Sequence, residues 1–483
     1  MLFNTPMIFP LILFLIGQLT LTAVIKRFDP TASESSLYLA INPKPSWGNQ
    51  MRQQNSIRIL LLGGSNSNGC CCSSASFSKV VDSNISDEYS NSYLLNRAIS
   101  GSRPYMFIGQ TYEFETWPKA RWPNILLLEI SLNSNIGWSN ALDIDNLIFQ
   151  LLEKWELVGL PPPDIVFLEL FGTHLYDKLS GMTDNKENRT NLLNSYESSP
   201  SSGANDKLSV NMNPRQVYID AVARYYSYPV LSVRNSWWPA FTRFFIENSY
   251  SKRWPYLYDN AHATCIGHEY IGNKVILHFL REQMRKKEKS EEEDDPETRN
   301  SYSKSNNTEV RMFPKSLYSK VLKIWPVWGV RSNNNSHISQ FRKIVEPTKG
   351  WDFTYLDNGH HKVHSGHDCY GSRGDNKLAA AAFFVIDVPA TCERCKIQIS
   401  YLRSWNESYI GDVLCNLYSA EQNSHPISNL TILGNTYRGV AMKGTLPGET
   451  AFPSPVSGGS YKVECSKLDK KFACICRFAI YSN

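Results

Sequence analysis

Mostly apolar runs of six to eight residues recur between residues 56 and 284, and each of them stops at glycine or polar residues. They are Ile57–Leu62, Asn124–Ser131, Asp164–Phe171 and Tyr228–Val233. Runs of this length are typical of strands that are buried on both faces, as in a parallel sheet. The pattern therefore predicts four buried strands in this part of the chain.

Between these runs, apolar residues recur with helical spacing. One predicted helix face consists of Ile144, Leu147, Ile148, Leu151, Leu152 and Trp155. A second helix is predicted to begin at Pro214, capped by Asn213, and a last one aligns Ile271, Val275 and Phe279. Strands that alternate with helices predict an α/β domain with a parallel sheet, here over residues 50–284.

The pattern changes after residue 341. Short strand-like runs follow one another there, separated by turn residues, and no helical spacing persists. We therefore predict an all-β domain, a sandwich or jelly roll, over residues 341–483. Two polar segments complete the organisation: residues 180–212 are predicted to be a surface insertion, and residues 285–311 a charged flexible linker.

The first 25 residues contain an almost wholly apolar stretch. We interpret it as a secretory signal peptide cleaved near Ala23, and a retained single-pass membrane anchor is the alternative. Lys26 and Arg27 follow the stretch, which is the wrong side for a type II anchor by the positive-inside rule. The chain is therefore expected to be secreted or lumenal, and membrane-bound only if this segment is retained.

Composition agrees with secretion. Six glycosylation sequons occur, at Asn84, Asn188, Asn306, Asn334, Asn406 and Asn429. Of the 11 cysteines, seven follow residue 368, and in an oxidising compartment they indicate disulfides. The net charge is only +5 and no basic stripe is interleaved with aromatic residues, so nucleic-acid binding is not expected.

A candidate nucleophile lies where the first predicted strand ends, at Ser65 in "LLLGGSNSNG". The segment lacks the Gly-Lys-Ser/Thr of a P-loop and the G-x-G-x-x-G of a dinucleotide site, and Ser67 replaces the second glycine of a nucleophile elbow. From this segment alone, Ser65 is interpreted as a helix cap. Asp259 and His262, just before the last helix, supply the base and the orienting acid that a nucleophilic serine needs.

These blocks together resemble the GDSL/SGNH hydrolase family over residues 56–284. That family has a serine after the first strand, a glycine after the second, an asparagine after the third and a late Asp-x-x-His. The matching positions are Ser65, Gly101, Asn133, Asp259 and His262. The resemblance implies a three-layer αβα fold with a flavodoxin-like parallel sheet.

The chain departs from the family pattern at three points. Gly64 replaces the usual aspartate before the serine, the third block reads "SLNS" where Gly-x-Asn-Asp is usual, and Ala263 follows the histidine where proline is common. None of these changes removes a catalytic atom. The third block, which contains Asn133, matches the family least well.

The resemblance implies acyl transfer without a cofactor. Ser65 attacks an ester carbonyl, His262 is the base, and Asp259 orients it. The N–H groups of Ser65 and Gly101 and the Asn133 amide form the oxyanion hole. The expected substrate is an esterified glycan or another small acyl ester, and removal of acetyl groups is the leading hypothesis. The alternatives are an O-acyltransferase and a non-catalytic carbohydrate-binding or adhesion protein.

Other residues carry weaker signals. The histidine cluster of the β domain matches no zinc-site spacing, so we expect no metal there; its members are His360, His361, His364 and His367. His268 is expected to pack rather than catalyse.

Cys265 and the run Cys70–Cys72 are interpreted as a disulfide between the two catalytic loops or as buried thiols. The aromatic segments "NSWWPAF" and "WPYLYD" are interpreted as core or as a sugar-stacking platform.

Overall fold

A computed structural model gives the fold of most of the chain. It describes residues 39–72, 74–99, 104, 107, 117–132, 138–173, 175–182, 186–197, 216–247, 253–286, 311–313, 320–326, 341–348, 351–356, 367–372, 381–404, 411–420, 425–433, 445–468, 471 and 473–482. Within these ranges, no helix has both the length and the apolarity needed to cross a membrane. The predicted signal peptide, Gly101, Asn133 and the predicted helix cap at Asn213 and Pro214 lie outside them.

A six-stranded sheet forms the centre of the α/β domain. Its strands are β1 (Leu39–Ile41), β2 (Arg58–Gly63), β3 (Tyr93–Asn96), β4 (Ile125–Glu129), β5 (Asp164–Glu169) and β6 (Val230–Ser232). The spatial order is β1-β6-β5-β4-β2-β3, and every pair is parallel except β1 with β6. The four predicted strands are β2, β4, β5 and β6. β1 precedes residue 50, where we placed the start of the domain, so the domain begins earlier than predicted.

Helices cover both faces of this sheet. They are α1 (Asn49–Gln54), α2 (Phe77–Glu88), α3 (Trp138–Leu157), α4 (Leu175–Gly181), α5 (Lys186–Glu197), α6 (Gln216–Tyr226), α7 (Val233–Glu247), α8 (Cys265–Tyr270) and α9 (Leu277–Arg285). A π-helical segment, Ile271–Ile276, joins α8 to α9, and a 3₁₀ turn covers Lys119–Arg121. The last predicted helix therefore corresponds to α8, the π-helical segment and α9 together.

Two apolar cores lie on opposite faces of the sheet because side chains alternate along a strand. Ile59 and Leu61 of β2 belong to the core with α2 and α7, whereas Leu60 and Leu62 belong to the core with α3 and α6. All four leucine and isoleucine side chains are at most 1% exposed. The continuous apolar run is thus explained by burial on both faces, and the predicted three-layer fold is confirmed.

Helix α5 lies within residues 180–212, where the sequence predicted a turn-rich insertion. Most of its residues are polar, but Leu193 is 1% exposed and belongs to the same core as α7. A single buried leucine among polar residues leaves too weak a periodic signal for a helix to be predicted.

In the described C-terminal ranges, every element except one helical turn at residues 341–344 is a β-strand. The strands are β7 (Lys320–Pro326), β8 (Val345–Glu346), β9 (Asp352–Leu356), β10 (His367–Ser372), β11 (Ala382–Val388), β12 (Cys395–Ser404), β13 (Val413–Ser419), β14 (Ser428–Ile432), β15 (Thr445–Ala451), β16 (Gly459–Lys467) and β17 (Ala473–Ser482). They form two antiparallel sheets. One has the order β15-β12-β17-β10-β9, with β7 also paired to β17, and the other has the order β14-β13-β16-β11-β8.

The two sheets share a third apolar core, to which Phe384 of β11 and Ile397 of β12 both contribute. This confirms the predicted β domain. Its start needs a correction, because β7 precedes residue 341 and pairs with β17. Of the histidine cluster, His367 begins β10, and the other three histidines lie outside the described ranges.

Arg311, at the end of the predicted linker, packs on the α/β domain. Its guanidinium carbon lies 3.2 Å from the centre of the Phe149 ring. Next to it, the Met312 N–H donates to the Tyr226 hydroxyl at 3.0 Å. At the two ends of the predicted linker, Arg311 thus belongs to the packed structure and α9 extends to Arg285, and residues 287–310 lie outside the described ranges.

Candidate active site

Ser65 lies in the turn that follows β2, at the carboxyl edge of the sheet, where open α/β folds bind their ligands. Its Oγ is 2.9 Å from His262 Nε2. The turn is closed by its own backbone, since the Cys70 N–H donates to the Ser65 carbonyl at 2.8 Å and the Asn68 N–H to the Gly64 carbonyl at 3.1 Å. The serine and the histidine, 197 residues apart in sequence, are therefore in hydrogen-bond contact.

Asp259 holds the other side of the imidazole. Its Oδ2 is 2.7 Å from His262 Nδ1, and its Oδ1 accepts from the Ala261 and His262 N–H groups, both at 2.8 Å. With Asp259 ionised, the ring proton lies on Nδ1, so Nε2 is free to accept from the Ser65 hydroxyl. Ser65, His262 and Asp259 thus have the geometry of a Ser-His-Asp triad.

The pKa shifts of His262 and Asp259 agree with His262 acting as a base. Burial would lower the pKa of His262, but the hydrogen bond and the charge of Asp259 outweigh it, and the pKa of His262 is raised. Burial would likewise raise the pKa of Asp259, yet the hydrogen bonds from His262 and the Ala261 N–H keep that pKa below its usual value. The carboxylate therefore stays ionised and stabilises the protonated imidazole.

Asn66 connects the serine turn to the histidine loop. Its side-chain amide donates to the Ala261 carbonyl at 2.8 Å and accepts from the Ala263 N–H at 2.9 Å. The residue is 1% exposed, so these bonds are shielded from water. A disulfide between Cys72 and Cys265 ties the same two segments together, as one of the two interpretations of these cysteines expected. No sequence pattern pointed to this role of Asn66.

Glu129 supports the serine turn from below. It ends β4, is 1% exposed, and its Oε2 accepts from the Gly64 N–H at 2.8 Å and from Ser67 Oγ at 2.9 Å. Burial raises the pKa of Glu129 to about 7 despite these hydrogen bonds. A Cβ on Gly63 would lie 2.2 Å from Ser67 Oγ, so only glycine fits there. The sequence signal was an acid at the end of an apolar run, and no role was predicted for it.

His268 has a packing role, as expected from the sequence. It is fully buried, donates from Nε2 to the Cys70 carbonyl at 3.0 Å, and accepts at Nδ1 from the Phe77 N–H at 3.4 Å. Burial lowers the pKa of His268 to about 4, so the ring is neutral at physiological pH. It links α8 to the serine turn and to the start of α2.

The oxyanion-hole residues Gly101 and Asn133 lie outside the described ranges, and their roles stay predictions. The strands that precede them in the chain, β3 and β4, both flank β2 in parallel. Because parallel strands end at one edge of the sheet, the chain leaves β3 and β4 at the same edge at which it leaves β2.

Three of the six predicted glycosylation sites are in the described part of the chain. Asn188 on α5 and Asn429 on β14 are exposed. Asn84 on α2 is half-buried, and its side-chain amide donates to the Val80 carbonyl at 2.8 Å. Glycosylation itself stays a prediction at all six positions, because Asn306, Asn334 and Asn406 lie outside the described ranges.

Comparison with known proteins finds a match only among solved structures: no protein-family model and no curated protein matches the chain. A crystal structure of a two-domain esterase active on acetylated mannans superimposes with a TM-score of 0.53 at 13% identity, over 93% of this chain and 98% of that chain. A structure of such an esterase co-crystallised with mannopentaose gives 0.52 and 14% over the same shares. The chain has the fold of a two-domain esterase. The predicted combination of an α/β domain with a C-terminal β domain is confirmed at the level of the fold.

The first prediction concerns the Asp259 carboxylate. In Asp259→Asn, burial continues to lower the pKa of His262, whereas the carboxylate charge and its hydrogen bond, which raise it most, are lost, so that pKa falls. If Ser65 is the predicted nucleophile, it reacts when His262 is neutral, and its reactivity is lost as the pH falls through the His262 pKa. We therefore expect the acidic limb of a fluorophosphonate-labelling profile, measured from about pH 4 to pH 9, to move to lower pH in the variant. An unmoved limb would contradict this assignment.

The second prediction concerns Glu129. Its pKa is about 7 in the folded protein and about 4.3 in an unfolded chain. The folded state therefore binds the proton more tightly, and the contribution of Glu129 to stability is lost as the pH rises through about 7. Gln does not titrate, so the Tm of Glu129→Gln is expected to fall less than the Tm of wild type when the pH is raised from about 5 to about 8. Glu187→Gln, at an exposed position on α5, is the matched control and should follow wild type.

Proposed function

We propose that this protein is a serine ester hydrolase that removes acyl groups, acetyl groups foremost, from a glycan. The observation that carries the proposal is the hydrogen-bonded chain from Ser65 through His262 to Asp259, with distances of 2.9 and 2.7 Å. A serine whose proton has an acceptor, and whose acceptor is oriented by a carboxylate, is the arrangement that activates a hydroxyl for acyl transfer.

In the proposed reaction, Ser65 Oγ attacks the ester carbonyl while its proton passes to His262 Nε2. The imidazolium is stabilised by Asp259 and then protonates the departing alcohol. Water attacks the acyl-enzyme with His262 again as the base, which releases the acid and restores Ser65. The oxyanion is assigned to the Ser65 N–H, the Gly101 N–H and the Asn133 amide. Loss of one such donor typically costs about 10²–10³ in turnover.

Two observations support a carbohydrate substrate. The fold is shared with an esterase active on acetylated mannans. Tyr258, the neighbour of Asp259, is 53% exposed, and its N–H donates to the His262 carbonyl at 2.8 Å. An exposed aromatic ring held this close to the triad offers an apolar face to a sugar ring.

The other aromatic residues of the two aromatic segments favour the core interpretation over a stacking platform. Trp237, Trp254 and Tyr256 are at most 2% exposed and pack against one another, with ring centres between 5.0 and 5.6 Å apart. They hold α7 against the loop that leads to Asp259. We therefore assign sugar stacking to Tyr258.

We further propose that the protein acts after secretion. Disulfides join Cys72 to Cys265, Cys392 to Cys395 and Cys415 to Cys465, which supports folding in an oxidising compartment.

Purified protein should release acetate from acetylated mannan or acetylated xylan. Transfer of the acetyl group to an added sugar acceptor, in preference to water, would instead support the acyltransferase alternative.

The third prediction tests the catalytic unit. We expect Ser65→Ala and His262→Ala each to lose about 10⁴–10⁶ in kcat, and the double variant to lose little more, because residues that act as one unit are not additive. Ser74→Ala and His278→Ala, which change an exposed serine and a half-exposed histidine outside the triad, are the matched controls. Acetate release at the wild-type rate by Ser65→Ala would overturn the proposed function.

The fourth prediction tests the glycan. Tyr258→Ala is expected to raise KM for acetylated oligosaccharide by about 2- to 10-fold. Hydrolysis of a small acetyl ester should stay close to wild type, because that substrate has no sugar ring to stack on Tyr258. Tyr225→Ala, at the exposed Tyr225 of α6, is the control. Equal losses on both substrates would show that Tyr258 supports the triad and does not bind sugar.

A further inference from the structure

Two adjacent thiols lie beside the catalytic imidazole, and the proposed reaction uses neither of them. Cys70 Sγ and Cys71 Sγ are 3.1 Å apart. Together with one ring nitrogen of His262, these sulfur atoms form a group in which all atoms lie within 4.8 Å of one another. Two sulfurs and one imidazole nitrogen at such separations are a ligand set that a thiophilic cation prefers.

The backbone that carries the thiols is held from several sides. The Cys70 N–H donates to the Ser65 carbonyl at 2.8 Å, and the Cys70 carbonyl accepts from buried His268 at 3.0 Å. Cys71 has a left-handed backbone, with φ of +66°, and the next residue is bound through the Cys72–Cys265 disulfide. The two sulfurs are thus positioned before any ligand arrives, which lowers the entropic cost of binding.

The imidazole is also oriented as a metal ligand. Its Nδ1 is held by Asp259 at 2.7 Å, so the lone pair that a metal would bind is that of Nε2, in place of the hydrogen bond from Ser65 Oγ at 2.9 Å. A carboxylate hydrogen-bonded to the far nitrogen is the usual support of a metal-binding histidine, because it fixes the ring and raises its basicity. The interaction that prepares His262 as a base therefore prepares it as a ligand.

We propose that Cys70, Cys71 and His262 form a binding site for a thiophilic divalent cation such as Zn²⁺ or Cd²⁺, and that occupancy of this site silences Ser65. Binding releases the two thiol protons to water, and the two thiolates neutralise the charge of the ion. A water molecule supplies the fourth ligand of a tetrahedral site. His262 Nε2 is then committed to the metal and cannot accept the Ser65 proton. The silencing rests on the proposed function, whereas the binding does not.

Binding is tested with Cd²⁺ as the probe, on the full chain, by calorimetry and by the ultraviolet absorption of cadmium–thiolate bonds. We expect one ion per chain for wild type. In Cys71→Ser and in His262→Ala the affinity should fall by more than the roughly 10- to 100-fold that loss of a partner behind a ligand causes, because a ligand itself is removed. Cys476→Ser, which changes a buried cysteine of the β domain, is the matched control and should bind as wild type does. Thermal melting of each variant confirms that it is folded.

Silencing is tested by fluorophosphonate labelling of Ser65 with and without Cd²⁺, each variant being compared with its own metal-free rate. We expect the ion to suppress labelling of wild type and of Cys476→Ser but not of Cys71→Ser. Cd²⁺ binding of wild-type strength in Cys71→Ser overturns the proposal, and so does a Cys70–Cys71 disulfide in the purified protein. If metal-free Ser65 is not labelled although Cd²⁺ binds, the proposed hydrolase function fails and the metal site stands.

Discussion

The candidate site depends on one buried amide. Asn66 donates to the carbonyl of Ala261 and accepts from the N–H of Ala263, so it holds the backbone on both sides of His262. Its neighbour in the chain is Ser65. The distance between Ser65 and His262, the proposed nucleophile and base, therefore depends on a side chain that has no part in the proposed proton transfer. Separation of the two loops would leave the buried Asn66 amide without hydrogen-bond partners. Because that costs free energy, the loops keep a fixed position relative to each other.

The acids around this linkage have different tasks because they have different surroundings. Asp259 lies at the partly exposed rim, with its side chain 41% accessible, and three donors keep it ionised beside His262. Glu129 is buried beneath the turn and accepts hydrogen bonds from the Gly64 N–H and from Ser67 Oγ. These two residues flank Ser65, so the hydrogen bonds fix the backbone that carries it. One carboxylate tunes the base, and the other supports the nucleophile.

The thiols of Cys70 and Cys71 add a second chemistry to the same turn. The turn must close tightly to expose Ser65, and its closing hydrogen bond, from the Cys70 N–H to the Ser65 carbonyl, brings the following residues back toward His262. The same closed turn therefore positions Ser65 and brings the two thiols close to each other and to His262. The inhibitory metal site that we propose would make the reactivity of Ser65 responsive to thiophilic cations without a change of fold.

Local sequence patterns determined the elements whose causes are local. Burial on both faces produces continuous apolar runs, so β2, β4, β5 and β6 were predictable. Ser65, Asp259 and His262 were singled out because the order of their blocks along the chain resembles the GDSL/SGNH pattern. β1, β3, α5 and the pairing of β7 with β17 left no local pattern, since each is short, polar or stabilised by distant partners. Asn66 contacts residues 195 and 197 positions away, and Glu129 contacts the turn from 62 to 65 positions away. Only the tertiary structure decided these roles, because a hydrogen bond between distant segments leaves no periodicity in either of them.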